Sequence, residues 1–134
     1  MSLDKAVQAA AGQVPECVAV GYVDMTTGML LSVKTVDSHP TEVLDLVAAA
    51  TADLFQGASV TAIEKLFKKG RGIPDDGHHY FQEMIVLSDN LIHVFLRGKK
   101  SKSNATCFVC RASANIGMVI SKARIANGLI EAAA

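Results

Sequence analysis

Tryptophan is absent from the 134 residues, and two Tyr with five Phe bring the aromatic share to 5%. An interior without large rings has to be built from Ala, Val, Ile, Leu and Met, which suits helices packed closely on a sheet. An excess of one charge is also missing, since 13 Lys and Arg balance 13 Asp and Glu. That balance excludes the overall electrostatic footprint of a non-specific nucleic-acid binder. No uncharged apolar run is long enough to span a bilayer, and the start M-S-L-D-K-A-V-Q-A-A-A-G-Q-V has no apolar core behind a basic end. A cytoplasmic protein without a nucleic-acid or membrane partner is expected. Three cysteines, an odd number poorly spaced for a disulfide framework, fit free thiols in a reducing compartment.

Catalytic motifs are equally scarce. The chain has no G-x-x-x-x-G-K-[ST], H-E-x-x-H or G-x-S-x-G, and Gly70, Gly72 and Gly98 are not followed by a helix start that would hold phosphate. Cys107 and Cys110 form a C-x-x-C, but it falls inside a strand-like run, where period 2 sends the two thiols to opposite faces. They should neither bridge each other nor share a metal ion, and no second pair completes four zinc ligands. Buried structural cysteines are expected, with no metal, no cofactor and no enzyme activity. Asp75, Asp76, His78 and His79 make the one polar cluster of catalytic type, in the loop G-R-G-I-P-D-D-G-H-H, and read as a solvated loop. Two basic groups, Lys65, Lys68, Lys69 and Arg71, then Arg97, Lys99, Lys100 and Lys102, read as solvated surface.

Apolar residues at 3, 7, 10 and 14 recur at helical spacing up to Pro15. C-V-A-V-G-Y-V-D and M-L-L-S-V-K-T-V, separated by M-T-T-G, read as a hairpin whose strands are apolar on both parities, so both sheet faces should be covered. Ser38 or Thr41 could cap the helix T-E-V-L-D-L-V-A-A-A-T-A-D-L-F-Q. It carries two apolar stripes, Val43, Leu46, Val47, Ala50 and Leu54 beside Leu44, Ala48, Thr51 and Phe55, where packing on one sheet needs one. The broader face calls for a second surface, either the continuation A-S-V-T-A-I-E-K-L-F-K-K after Gly57 or another subunit. Three strands, Y-F-Q-E-M-I-V-L-S-D, L-I-H-V-F-L-R-G and A-T-C-F-V-C-R-A, precede a last helix from Asn115, giving the order α, β, β, α, β, β, β, α in a single domain, 1–134.

Three local motifs stand in order along the chain, V-A-V-G-Y-V-D-M-T-T-G-M-L-L-S at Val18 to Ser32, E-V-L-D-L-V-A-A-A-T at Glu42 to Thr51, and A-N-I-G-M-V at Ala114 to Val119. With the element order, they resemble the roadblock and dynein light chain domain family, whose bacterial members partner Ras-like GTPases of the gliding-motility type. The chain departs from the family in its long loop from Gly70 to His79 and its extended middle helical region. The resemblance implies a profilin-like α/β (α+β) fold, with a five-stranded antiparallel sheet of order 2-1-5-4-3 and helices on both faces. It also implies a homodimer formed through the middle helix and third strand.

In that order the third strand is an edge, and Y-F-Q-E-M-I-V-L lacks the Pro or Lys that protects edges. The expected interface is Leu44, Val47, Ala48, Thr51 and Phe55 with Phe81, Met84 and Val86. The function expected is a non-enzymatic homodimeric adaptor or regulatory platform for a Ras-like small GTPase. The alternative is a small-molecule or metal sensor using the D-D-G-H-H loop or a space between helix and sheet.

Overall fold

The computed structural model describes residues 2–36 and 41–134, with side chains from residue 44 onward in the second stretch. Helix α1 spans Leu3–Gln13, started by Ser2, whose hydroxyl accepts from the Lys5 N–H at 3.3 Å. Strands β1 (Cys17–Asp24) and β2 (Met29–Thr35) form the hairpin, turned at Gly28 with φ 72°. Helices α2 (Thr41–Gln56) and α3 (Ala58–Gly70) follow, then β3 (Glu83–Leu87), β4 (Leu91–Arg97), β5 (Asn104–Arg111) and α4 (Ile116–Ala133). Asn115 caps α4 by accepting from the Met118 N–H at 3.0 Å. The cap candidates Ser38 and Thr41 and the stripe residue Val43 lie outside the described residues or side chains.

The strands form one antiparallel sheet in the order β2-β1-β5-β4-β3, as expected, with helices on both faces. Strand parity divides its residues into two cores. Val20, Tyr22, Val94, Phe108 and Cys110 face α1 and α4, where Val119, Ala123, Ala126 and Ile130 recur every three or four residues and are wholly buried. On the other face, Val23, Phe95, Ala105 and Cys107 meet Ala48 and Phe55 of α2. Each fully buried Val, Ile or Phe contributes ~1.5–3 kcal/mol.

Two glycines are dictated by close approach. At Gly57, between α2 and α3, a Cβ would stand 2.7 Å from the Asp53 carbonyl oxygen, so the backbone can turn there only without a side chain. At Gly98, after β4, a Cβ would run into the Ser101 carbonyl and the Glu131 carboxylate. That carboxylate accepts from the N–H groups of Lys99, Lys100 and Ser101 at 2.9, 2.9 and 3.1 Å, pinning the β4–β5 turn to α4.

Strand β3 is shorter than its apolar run. The Tyr80 N–H donates to Glu64 at 2.6 Å and the Phe81 carbonyl accepts from the Arg97 side chain at 2.8 Å. With these backbone groups held by side chains, the ladder begins at Glu83.

Candidate functional site

The two stripes of α2 have different fates. Ala48, Thr51 and Phe55 are wholly buried and Leu44 half-buried, so this stripe faces the sheet. Thr51 satisfies its hydroxyl by donating to the Val47 carbonyl at 2.8 Å. The other stripe points outward: Leu46 is 70% exposed, Val47 45% and Leu54 39%. It continues onto α3 as Ile63, Leu66 and Phe67, all exposed. By length and composition Leu44–Gly70 could cross a membrane, and little of it is buried. Its geometry argues for another cover. The 16 residues of α2 reach only ~24 Å against a hydrocarbon core of ~30 Å, Gly57 interrupts the run, and one side of α2 already packs on the sheet.

Strand β3 is the edge beside β4, and its residues pair with β4 from Glu83↔Leu96 to Leu87↔Ile92. Met84 reaches the α2-side core, while Ile85, Val86 and Leu87 are exposed. The outer edge is therefore a short apolar strand with neither Pro nor Lys.

The loop before β3 is not simply solvated. Lys68, buried on α3, donates to the His78 carbonyl at 2.8 Å and lies 3.1 Å from Asp76 and 3.4 Å from Asp75. One turn earlier, buried Glu64 takes the His79 Nδ1 at 2.8 Å as well as the Tyr80 N–H. Burial pushes the Glu64 carboxyl upward, but the His79 ring, the Tyr80 N–H and the His79 and Lys68 charges together hold it below its ordinary value. The Phe67 and Tyr80 rings meet edge to face, with centroids 5.5 Å apart, completing a strap across α3.

Neither a protein-family model nor a curated protein matches the chain. Solved structures do. The gliding protein MglB from Thermus thermophilus superposes with TM-score 0.72 at 16% identity, covering 100% of this chain and 92% of its own. An MglB with a tetrameric arrangement gives 0.70 at 18% identity, covering 98% and 90%. A Roadblock/LC7 domain from Streptomyces avermitilis gives 0.68 at 13%, covering 98% and 97%. The chain has the roadblock/LC7 fold.

Within this roadblock fold the eight expected interface residues divide. Ala48, Thr51 and Phe55 lie under α2 against the sheet, and Leu44 lies at the margin of that contact. Val47, Phe81 and Val86 are exposed, and Met84 is half-buried. Leu46 and Leu54, outside that set, share the outward stripe with Val47. Between α2 and the roadblock sheet lies an apolar groove of about 390 Å³, lined by Val33, Leu44, Val47, Leu91, Val109 and Arg111 among others.

The C-x-x-C thiols sit on opposite faces of the roadblock sheet, Cys110 toward α1 and α4 and Cys107 toward α2. Burial pushes Cys107 up to about 12. The thiol that neighbours Cys110 is Cys17, its partner across β1 and β5, a pairing that only the register reveals. Cys110 is raised mainly by a hydrogen bond with the Cys17 thiol and then by burial. Cys17 is lowered mainly by the Cys110 thiol beside it. Among the described residues no three His, Cys, Asp or Glu side chains converge as metal ligands.

Sequence reasoning counts Arg97 with the solvated basic surface, and the structure buries it. It is 4% exposed, and its guanidinium donates to four oxygens: Phe81 O at 2.8 Å, Gln56 Oε1 at 2.8 Å, Lys102 O at 2.9 Å and Phe55 O at 3.1 Å. It thereby ties the end of α2 to the strap and the β4–β5 turn, and stacks over Phe55 at 5.1 Å. The only hint in the sequence was a position on the inward parity of an apolar strand.

Proposed function

We propose that this chain is a non-enzymatic, cytoplasmic regulatory adaptor, one roadblock-like domain over 1–134 that acts as a homodimer and offers its two-fold surface to a Ras-like small GTPase. Two observations carry the reading, the outward stripe Leu46, Val47 and Leu54 on α2 and the open apolar edge of β3. One two-fold operation covers both. Pairing β3 with its copy satisfies the outer N–H and C=O groups, and brings the outward stripe of α2 onto the partner's. Val47, Phe81, Met84 and Val86 then contribute from the surface, with Leu44 at the margin. Ala48, Thr51 and Phe55 act from beneath by fixing which side of α2 faces out. The tetrameric arrangement of one MglB supports self-association on this fold. The GTPase partner rests on the family resemblance.

Light scattering from low to about 100 µM tests the dimer, since a dimer of micromolar affinity is nearly complete there. A wild-type monomer at that concentration overturns the platform. Titrating the dimer with a GTP-loaded Ras-like GTPase tests the partner, and the absence of any binding removes that partner while the dimer stands.

The groove, which counts Arg111 among its lining residues, favours a second reading, in which a small apolar carboxylate occupies the space between α2 and the sheet. Saturable binding of a medium-chain fatty acid, lost in Val109→Trp, would support it over the adaptor. The metal-sensor version has less support, because Lys68 and Glu64 already engage Asp75, Asp76 and His79.

A further inference from the structure

Between the end of α2, the strap and the β4–β5 turn lies a cavity of about 260 Å³, lined by Gln56, His78, His79, Arg97, Lys102 and Ser103 among others. Every one of these side chains can donate a hydrogen bond, and among the described residues no carboxylate lines it. Arg97 makes the chemistry specific. It is buried, yet all four oxygens it binds are neutral, three backbone carbonyls and one amide. A buried guanidinium without a bonded carboxylate is a positive charge awaiting compensation. Glu64 acts on Arg97 only through space, being bound itself to His79 and Tyr80.

We propose that this cavity is an oxyanion site, taking the phosphate group of a small phosphate ester. Tetrahedral phosphate suits it better than carboxylate. Four of the five N–H groups of Arg97 are engaged, which leaves one Nη2 hydrogen and rules out the paired fork that recognises a carboxylate. The remaining donors come from separate walls: Gln56 on the helix end, His78 on the strap, Lys102 and Ser103 on the turn. Donors arriving singly from several directions match an anion with oxygens in several directions. The walls are held independently of any ligand, the strap by Glu64 and Lys68 and the turn by Glu131, so the site is preformed. Bound anion would link the end of α2 to the start of β3, coupling it to the surface that the dimer uses.

The test is an NMR titration of full-length protein with inorganic phosphate, with sodium chloride of matched ionic strength as the control. The expected result is saturable binding with a Kd of about 1 mM or tighter, with shifts centred on Gly77, Lys102 and Ser103. Glycerol phosphate should bind at least as tightly. Lys102→Glu and His78→Ala, both at exposed positions, should each weaken phosphate about tenfold while the spectrum away from the cavity stays that of the folded wild type. Arg97 is left intact because its bonds hold the fold. A response that merely follows ionic strength, or equal affinity in wild type and both variants, would overturn the site. A phosphoserine peptide that binds more tightly than glycerol phosphate would overturn the small-ester assignment.

Discussion

Leu46→Glu separates the two stripes of α2 experimentally. Leu46 is 70% exposed in one copy of the chain, so most of its burial is still to be gained. Full burial of a leucine is worth ~1.5–3 kcal/mol, which leaves ~1–2 kcal/mol per copy at the interface. A two-fold counts the residue twice, giving ~2–4 kcal/mol before any cost of desolvating the new carboxylates. The dimer Kd should therefore rise ~30- to 1000-fold. The folded monomer should change by no more than about 0.5 kcal/mol, because the position touches little within its own chain. Phe55→Ala, next in sequence to the outward Leu54 but wholly buried, should do the reverse and cost ~3–5 kcal/mol of folding stability. Sedimentation velocity over ~1–100 µM reads the first quantity and chemical denaturation the second. If Leu46→Glu dimerises as tightly as wild type, the outward stripe is not the interface and the two-fold argument fails.

Arg97→Gln should lower unfolding free energy by about 3 kcal/mol or more, read by urea denaturation, since four oxygens lose their charged donor, the Phe55 carbonyl in a buried bond and three others in part-buried ones. Glu64→Ala should release the strap, seen as about tenfold or faster hydrogen exchange at the Tyr80 amide. Because the folded Glu64 carboxyl lies below its unfolded value near 4.5, its contribution is whole above that pH and is lost as pH falls through the lower folded value. Wild type should thus lose more stability than Glu64→Ala on acidification from neutrality through that range. Alkylation at pH 8 should label Cys17 first and leave buried Cys107 and Cys110 unmodified until unfolding, and early labelling of Cys107 would contradict its burial.

Element order, apart from the division of the middle helical region into α2 and α3 at Gly57, strand parity and the two-stripe character of α2 were legible in the sequence because they are local periodicities. Three apolar residues at helical spacing state a face wherever the helix ends up, and Cys107 and Cys110 take opposite faces of any strand that contains both. Which stripe of α2 is inward was not legible, since both are apolar, and only the arrangement of Ala48 and Phe55 over Phe95 and Cys107 decided it. Glu64 and Lys68 look like an ordinary surface pair four residues apart on a helix, and Arg97 looks like a charge at a strand end. Their partners lie 5 to 42 residues away in the chain, so their burial and the strap they hold follow from tertiary contacts. Spacing along a chain records what a residue shares with its own element. The compensation of a buried charge depends on which distant oxygens the fold brings within reach, and for Arg97 only the folded structure supplied that answer.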